Sequence, residues 1–180
     1  MKKPMQLRKQ REIVISFCEG ETEIELFGFL KHQYSNRKIG FRKPIDLAGV
    51  SDFITFEKKY KEEIKGLGFK PKKDYEKIKL LFIIDNDIAD SAKIKKFLDT
   101  EKHLVQLCDP NTEGMILNII GKPQAKTVGD KDYRKKCKDA FENHFGCKAH
   151  KLKEKTLKEI FTDEEFKKSL PVLYDLFKKD

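Results

Sequence analysis

The sequence lacks the features of several large protein classes. Its apolar runs stay far below the roughly 20 uncharged residues that a membrane-spanning helix needs. The N-terminus, MKKPMQLRKQRE, passes into a short apolar run without the hydrophobic segment of a signal peptide. The four cysteines are scattered, which argues against a disulfide framework, and low-complexity tracts and fixed-period repeats are missing. We therefore expect a soluble, cytoplasmic protein with reduced thiols and no membrane partner.

Composition and charge indicate one compact, basic domain. Of the 180 residues, 38% are hydrophobic and 14 are phenylalanines, which is enough to build a core. The 39 lysines and arginines exceed the 30 acids and give a net charge of +9, which favours an anionic partner, with DNA or RNA as the first candidate. The alternative is that most of the lysines only form a solvated surface.

A repeated strand–helix pattern predicts the fold class. Apolar, β-branched runs at 13–17 and 80–84 are typical of strands buried on both faces, and weaker strands follow at 44–48 and 103–108. Helical periodicity follows each of them, so we predict a Rossmann-like α/β domain with a central, mainly parallel four-stranded sheet. We expect a catalytic core at residues 1–125 with a basic N-terminal arm, and a helical C-terminal extension at residues 126–180 that packs on the core.

Acidic side chains follow the two strongest strands at the points where the strands end. Glu19 comes two residues after the first run, and Asp85 and Asp87 follow the other; Glu23 lies one helical turn beyond Glu19. Functional crevices of parallel sheets lie at the carboxyl ends of the strands. Clustered carboxylates need a compensating cation, and oxygen ligands suit Mg²⁺ or Mn²⁺. The alternative is that these acids serve only as helix caps and turn residues.

These motifs resemble those of a known family. The stretches Cys18-Glu19-Gly20-Glu21-Thr22-Glu23 and Asp85-Asn86-Asp87, each after a strand, look like the TOPRIM domain, a Mg²⁺-binding catalytic module shared by topoisomerases, DnaG-type primases and several nucleases. Asp109-Pro110-Asn111-Thr112-Glu113 is similar to the Ser-Asn-Pro-x-x-Glu element of RloB-like proteins, small relatives of the OLD-family nucleases found among bacterial anti-phage genes. Here Asp109 replaces the usual asparagine, and the aromatic residue and histidine that often follow that element are absent.

The resemblance implies a role for each acid. Glu19 would be the TOPRIM glutamate, a metal ligand or general acid/base, and Glu23 the second glutamate of OLD-type nucleases. Asp85 and Asp87 would be metal-binding aspartates, and Glu113 would complete a second metal position, so that the site holds one or two Mg²⁺ or Mn²⁺ ions. OLD-type sites also have a late catalytic lysine, for which Lys148 and Lys151 are both candidates.

The resulting hypothesis is a metal-dependent nuclease that hydrolyses phosphodiester bonds in DNA or RNA in defence against phage. The basic side chains expected to hold the phosphate backbone are Arg8, Lys9, Arg11, Lys148 and Lys151. A G-x-x-x-x-G-K-[ST] motif is absent, so the ATPase of an OLD-like system would lie on another chain, and a separately encoded ATPase or other defence protein is a candidate partner.

Two further functions remain open. One is an RNA-processing TOPRIM maturase, which is disfavoured because such proteins usually have aspartate where this chain has Glu23, and Gly-Pro where it has Ile88-Ala89. The second is a non-catalytic nucleic-acid-binding or regulatory subunit of the same fold.

Three further groups of residues have a functional and a structural interpretation. The series Cys137, His144, Cys147 and His150 does not have a standard zinc spacing, and core packing is the better interpretation. Cys18 has no histidine placed by sequence to activate it, so we expect it to pack at the strand end. The aromatic residues that alternate with lysines are expected to pack rather than to stack on bases: Tyr60, Phe69 and Tyr75.

Overall fold

Burial of side chains along two apolar strands organises the fold. The computed structural model describes residues 12–34, 39–68, 78–125 and 132–178. Strands in these ranges are β1 (Glu12–Cys18), β2 (Ile39–Phe41), β3 (Ile45–Asp46), β4 (Ile78–Asp85) and β5 (Leu104–Cys108). The described strand pairs are all parallel, and β1 and β4 lie at the centre of the sheet. Their apolar character follows from this position, since a central parallel strand is covered on both faces.

One edge of the sheet is divided between two short strands. The order is β2–β1–β4–β5, and β3 also pairs with β1. Residues 12–14 of β1 pair with β2, and Phe17 and Cys18 pair with β3. The predicted α/β fold with a mainly parallel sheet is therefore confirmed. The sheet has five described strands rather than four, because the unpredicted strand β2 shares an edge with the strand expected at 44–48.

Helices cover both faces of the sheet. In the described ranges they are α1 (Glu21–Tyr34), α2 (Phe53–Gly66), α3 (Ser91–Thr100), α4 (Thr112–Ile119), α5 (Tyr133–Phe145), α6 (Glu154–Ile160), α7 (Asp163–Ser169) and α8 (Pro171–Lys178), with a 3-10 turn at Ala149–Lys151. Helices α2 and α3 pack on the face formed by Ile15, Phe17 and Phe82. The other helices pack on the opposite face, where Val14, Leu81 and Ile83 lie.

The C-terminal helices share a core with the sheet. Phe141, Phe161, Phe166 and Phe177 are buried in the same cluster as Phe27 of α1. The hydroxyl of Tyr34 at the end of α1 donates a hydrogen bond to the carbonyl oxygen of Phe161 at 2.6 Å. The helical pattern beyond residue 129 thus leads to helices that pack on the sheet. Among the described helices, none combines the length and the apolar character required to cross a membrane.

Candidate active site

The strand register brings the predicted acids to one edge of the sheet. Cys18 of β1 lies beside Ile83 of β4, and Asp85 at the end of β4 lies beside Cys108 at the end of β5. The residues that follow these strands therefore meet beyond the carboxyl ends of β1, β4 and β5, which is where parallel sheets bind ligands.

Asp85 lies at the centre of this cluster and is 1% exposed. Its Oδ1 atom accepts hydrogen bonds from the backbone N–H of Thr112 at 3.0 Å and from the Thr112 hydroxyl at 3.3 Å. Its Oδ2 atom lies 3.0 Å from Nη2 of Arg134. The first residue of α4 and the second residue of α5 thus fix the two oxygens of one carboxylate.

Glu19 is tied to Asp85 from the end of β1. Its Oε2 atom accepts a hydrogen bond from the backbone N–H of Asp85 at 3.0 Å, and its Oε1 atom accepts one from Arg134 Nη2 at 2.7 Å. A single guanidinium nitrogen, Arg134 Nη2, therefore bridges Glu19 Oε1 and Asp85 Oδ2 and holds the two carboxylates close together.

Asp87 completes the group of acids around Arg134. Its Oδ2 atom accepts a hydrogen bond from Asn111 Nδ2 at 2.7 Å, while its Oδ1 atom lies 3.9 Å from Arg134 Nε. Within the described residues, both of these facing atoms are buried and lack a hydrogen-bond partner. The carboxylate is thus held on one side and has an unused oxygen on the other.

Glu23 and Glu113 line the same space from the helices. Glu23, in the first turn of α1, is 4% exposed and accepts a hydrogen bond from the Thr112 hydroxyl at 2.6 Å. Glu113, in the first turn of α4, is also buried. The structure therefore brings together all five acids that the sequence singled out.

Burial of these acids shifts their ionisation. Desolvation raises the pKa of Glu19 and of Asp85, although the charge of Arg134 works in the opposite direction. Desolvation also raises the pKa of Glu23 to about 7, and the neighbouring charges of Glu19 and Glu113 add to that shift. Burial acts to lower the pKa of Arg134, but the surrounding carboxylates together raise it, so the guanidinium stays charged.

Four of the five acids, all except Asp87, line a cleft of about 620 Å³ with cationic side chains on its wall. Arg134, Lys138 and Lys148 line this cleft, together with His150. Lys148 is one of the predicted phosphate contacts; Lys151, the other lysine candidate, is exposed and does not line the cleft. The arm residues Arg8, Lys9 and Arg11 lie outside the described residues.

The donor set suits a hard divalent cation, although Arg134 now lies among the acids. In the part of the chain that the structure describes, no three acidic, histidine or cysteine side chains are arranged so that they could hold a metal ion. The chemistry of the donors nevertheless fits Mg²⁺ or Mn²⁺, because all of them are carboxylate oxygens and the buried Oδ1 of Asp87 has no hydrogen-bond partner among the described atoms.

Arg134 is the site residue that the sequence does not reveal. It lies 115 positions from Glu19, near the start of a helix in a lysine-rich stretch, and no motif distinguishes it from the basic residues around it. Asn111 and Thr112 stand out in the sequence only as part of the Asp109–Glu113 element, yet they position Asp87, Asp85 and Glu23. Only the fold brings these residues to the acids.

Helix capping accounts for only part of what these acids do, since Asp85 Oδ1 accepts the N–H of Thr112 at the start of α4 but Asp85 Oδ2 contacts Arg134. Glu19, Asp85 and Asp87 point into the cluster, and the residue before α3 is Asp90, whose side chain makes no capping hydrogen bond. Glu21, by contrast, is a first-turn acid with a side chain that is 77% exposed.

Cys18, the cysteine–histidine series and Tyr60 have structural explanations. Burial raises the pKa of the Cys18 thiol, which packs at the end of β1 as expected. In the described ranges the zinc series does not assemble. Cys137 is buried, as core packing predicts, whereas His144 is exposed, so core packing is wrong for that residue. Tyr60 packs in the core against Phe82, and its hydroxyl lies 2.9 Å from Nε2 of His103. Phe69 and Tyr75 lie outside the described residues.

Comparisons with known proteins found no match to the chain among family models, curated proteins or solved structures.

Proposed function

We propose that the protein is a Mg²⁺- or Mn²⁺-dependent nuclease that hydrolyses phosphodiester bonds in DNA or RNA. The observation that carries the proposal is the convergence of Glu19, Asp85 and Asp87 on one guanidinium that lines an open cleft. Acids buried as deeply as these are costly unless a cation compensates them, and buried acids with shifted pKa values beside a cleft are candidates for a functional site.

The five acids would form two groups of metal ligands. Glu19, Asp85 and Asp87 would hold a first ion, and Glu23 and Glu113, from the first turns of α1 and α4, would support a second. A divalent ion bound there supplies an activated water and stabilises charge on the attacked phosphate. The hydrogen bonds from Thr112 and Asn111 orient the carboxylates that would bind it.

The cationic wall of the cleft would bind the substrate backbone. Arg134, Lys138 and Lys148 present charge on the space in front of the acids. Guanidinium and ammonium groups bind phosphate oxygens without reading bases, so the contacts favour affinity without sequence choice.

The biological setting follows from the resemblance to TOPRIM and RloB-like proteins. The parallel sheet with acids at its carboxyl edge supports that resemblance, and a role in anti-phage defence in the cytoplasm is part of the same proposal. A separately encoded ATPase or other defence protein is the partner that the resemblance suggests. The RNA-processing maturase stays a less favoured alternative, because Glu23 occupies the position of its aspartate.

A cleavage assay with a matched pair of variants tests the proposal. Purified wild-type protein is incubated with plasmid DNA, linear duplex DNA, single-stranded DNA and RNA, in Mg²⁺, in Mn²⁺ and in EDTA. We expect metal-dependent cleavage that Asp85→Asn reduces by at least about 100-fold, because the buried ligand charge is lost. The control Asp90→Asn alters an exposed aspartate five positions away and should leave the rate unchanged.

Two outcomes contradict the proposal. Cleavage that survives Asp85→Asn would come from another site or a contaminant. Tight binding of nucleic acid by wild-type protein, with no cleavage in either metal, would favour the non-catalytic binding subunit, for which the basic cleft wall is sufficient.

A further inference from the structure

We infer that Arg134 is an internal counter-cation that a divalent metal ion must displace from the acids; this inference rests on the proposed function for its metal. Arg134 would then have two roles. It competes with the metal ion for the carboxylate oxygens, and it contacts phosphate as proposed above.

The competition follows from which carboxylate oxygens are available. Glu19 Oε2 already accepts the backbone N–H of Asp85, and Asp85 Oδ1 accepts both the N–H and the hydroxyl of Thr112, so groups of the fold already contact these two oxygens. The remaining oxygens, Glu19 Oε1 and Asp85 Oδ2, are the two that Arg134 Nη2 contacts at 2.7 and 3.0 Å. A metal ion that uses both carboxylates through their remaining oxygens must take the atoms that the arginine holds.

The fit of the guanidinium to the site is incomplete. It bridges Glu19 and Asp85, but its Nε atom stops 3.9 Å from Asp87 Oδ1. Both of those atoms are buried and have no hydrogen-bond partner among the described residues, and the Asp87 side chain is only 7% exposed. The planar fork of an arginine cannot satisfy all three carboxylates here, whereas a compact divalent charge has no such directional limit.

Arg134 also has room to leave the acids. Its side chain is 40% exposed and lines the 620 Å³ cleft, in contrast to the carboxylates it contacts, which are 7% exposed or less. It lies near the start of α5, and Lys138 lines the same cleft one turn later. The displaced guanidinium therefore stays beside the site, where it can bind a phosphate with two parallel N–H donors.

Removal of the guanidinium separates this role from a purely structural one. Arg134→Gln takes away a positive charge that competes for the same oxygens. We expect Mn²⁺ to bind about tenfold more tightly to this variant, because no arginine has to be displaced. In metal-free buffer the variant should unfold more easily than wild type, because the buried carboxylates lose their cation.

The test measures metal affinity rather than catalysis. Mn²⁺ is titrated into wild type, Arg134→Gln and Arg134→Lys by calorimetry, and thermal unfolding is recorded in EDTA and at increasing Mn²⁺. Arg134→Lys keeps the positive charge but loses the planar guanidinium, so its affinity for Mn²⁺ should lie between those of wild type and Arg134→Gln. It also provides the test if Arg134→Gln does not fold. Arg42→Gln, at an exposed arginine outside the cleft, is the matched control and should bind Mn²⁺ like wild type.

The outcomes separate this inference from the proposed function. Tighter Mn²⁺ binding by Arg134→Gln with lower metal-free stability supports the displacement. If wild type binds Mn²⁺ and cleaves nucleic acid, but Arg134→Gln binds with equal or lower affinity, the displacement is wrong and the nuclease proposal stands. If neither wild type nor any Arg134 variant binds Mn²⁺, both are wrong.

Discussion

The Thr112 hydroxyl donates a hydrogen bond to Glu23 Oε1 at 2.6 Å, across 89 positions of sequence. The same hydroxyl lies 3.3 Å from Asp85 Oδ1, and a threonine has only one hydroxyl proton to donate. With both acids ionised, the hydroxyl proton can serve only one of them fully, and its contact with Glu23 is the shorter of the two. This hydrogen bond by itself lowers the pKa of Glu23, but burial and the neighbouring charges of Glu19 and Glu113 outweigh it and raise that pKa to about 7.

The first prediction concerns the pH dependence of stability without metal. Between pH 4.5 and about 7, Glu23 is ionised in the unfolded chain but protonated in the native state. The native state therefore binds more protons, and its free energy of unfolding falls as pH rises through this window. The stability lost across this window because of Glu23 is about 3 kcal/mol. Urea unfolding in EDTA at several pH values measures it.

Glu23→Gln is the variant that isolates this effect. Glutamine can still accept the Thr112 hydroxyl but does not titrate, so the variant should gain stability relative to wild type as pH rises from 4.5 to 8. A difference between the two proteins that stays constant with pH would show that Glu23 is ionised throughout.

The second prediction concerns Gly114 in the first turn of α4. A Cβ atom there would lie 2.7 Å from Pro110 Cγ and 3.1 Å from Asn111 Oδ1, and that oxygen caps the helix by accepting the Gly114 N–H at 2.8 Å. We expect Gly114→Ala to cost about 1–3 kcal/mol of stability by overpacking. It should also weaken metal binding, because Asn111 holds Asp87.

Gly28→Ala is the control for that substitution. Gly28 lies within α1, and beyond its own helix no described atom lies within 4 Å of the Cβ position. Alanine there should raise stability by up to about 1 kcal/mol through helix propensity. Chemical unfolding of both variants measures their free energies of unfolding. A Gly114→Ala protein as stable as Gly28→Ala would contradict the close contacts expected at the Gly114 Cβ position.

The third prediction concerns Gln106, which ties α8 to the sheet. This residue of β5 is 4% exposed, and its Oε1 atom accepts the backbone N–H groups of Val172 at 3.0 Å and Leu173 at 3.4 Å. Gln106→Leu leaves these N–H groups without their acceptor, which should cost about 1–3 kcal/mol. Hydrogen exchange should become faster at the Val172 and Leu173 amides. Unchanged exchange there would show that the contact does not hold the helix.

The fold can be predicted from the sequence because its two central strands are marked by short, nearly continuous apolar runs. The apolar runs of β1 and β4 are buried on both faces, and α1 follows β1 directly, as the strand–helix pattern predicts. The three-residue strand β2 escapes prediction because a segment this short has too few side chains to show a pattern. Its pairing with β1 is set by the sheet.

The candidate site is predictable only in part, for a similar reason. Glu19, Asp85 and Asp87 follow strong strands, so their common edge can be inferred from the topology. Arg134 comes from a helix whose position depends on packing against the sheet, and its contacts with Glu19 and Asp85 span 115 and 49 positions. Long-range packing of this kind leaves no mark in a single sequence.

The most direct test of the central claim is a Mg²⁺ and Mn²⁺ titration by calorimetry of wild type, Glu19→Gln and Glu21→Gln. The two substitutions are chemically identical and two positions apart, but Glu19 is buried beside Asp85, whereas the Glu21 side chain is 77% exposed. We predict specific binding to wild type and Glu21→Gln, and an affinity at least about tenfold weaker for Glu19→Gln. Equal binding by all three proteins, or none by wild type, would contradict a metal site at the carboxyl ends of β1 and β4.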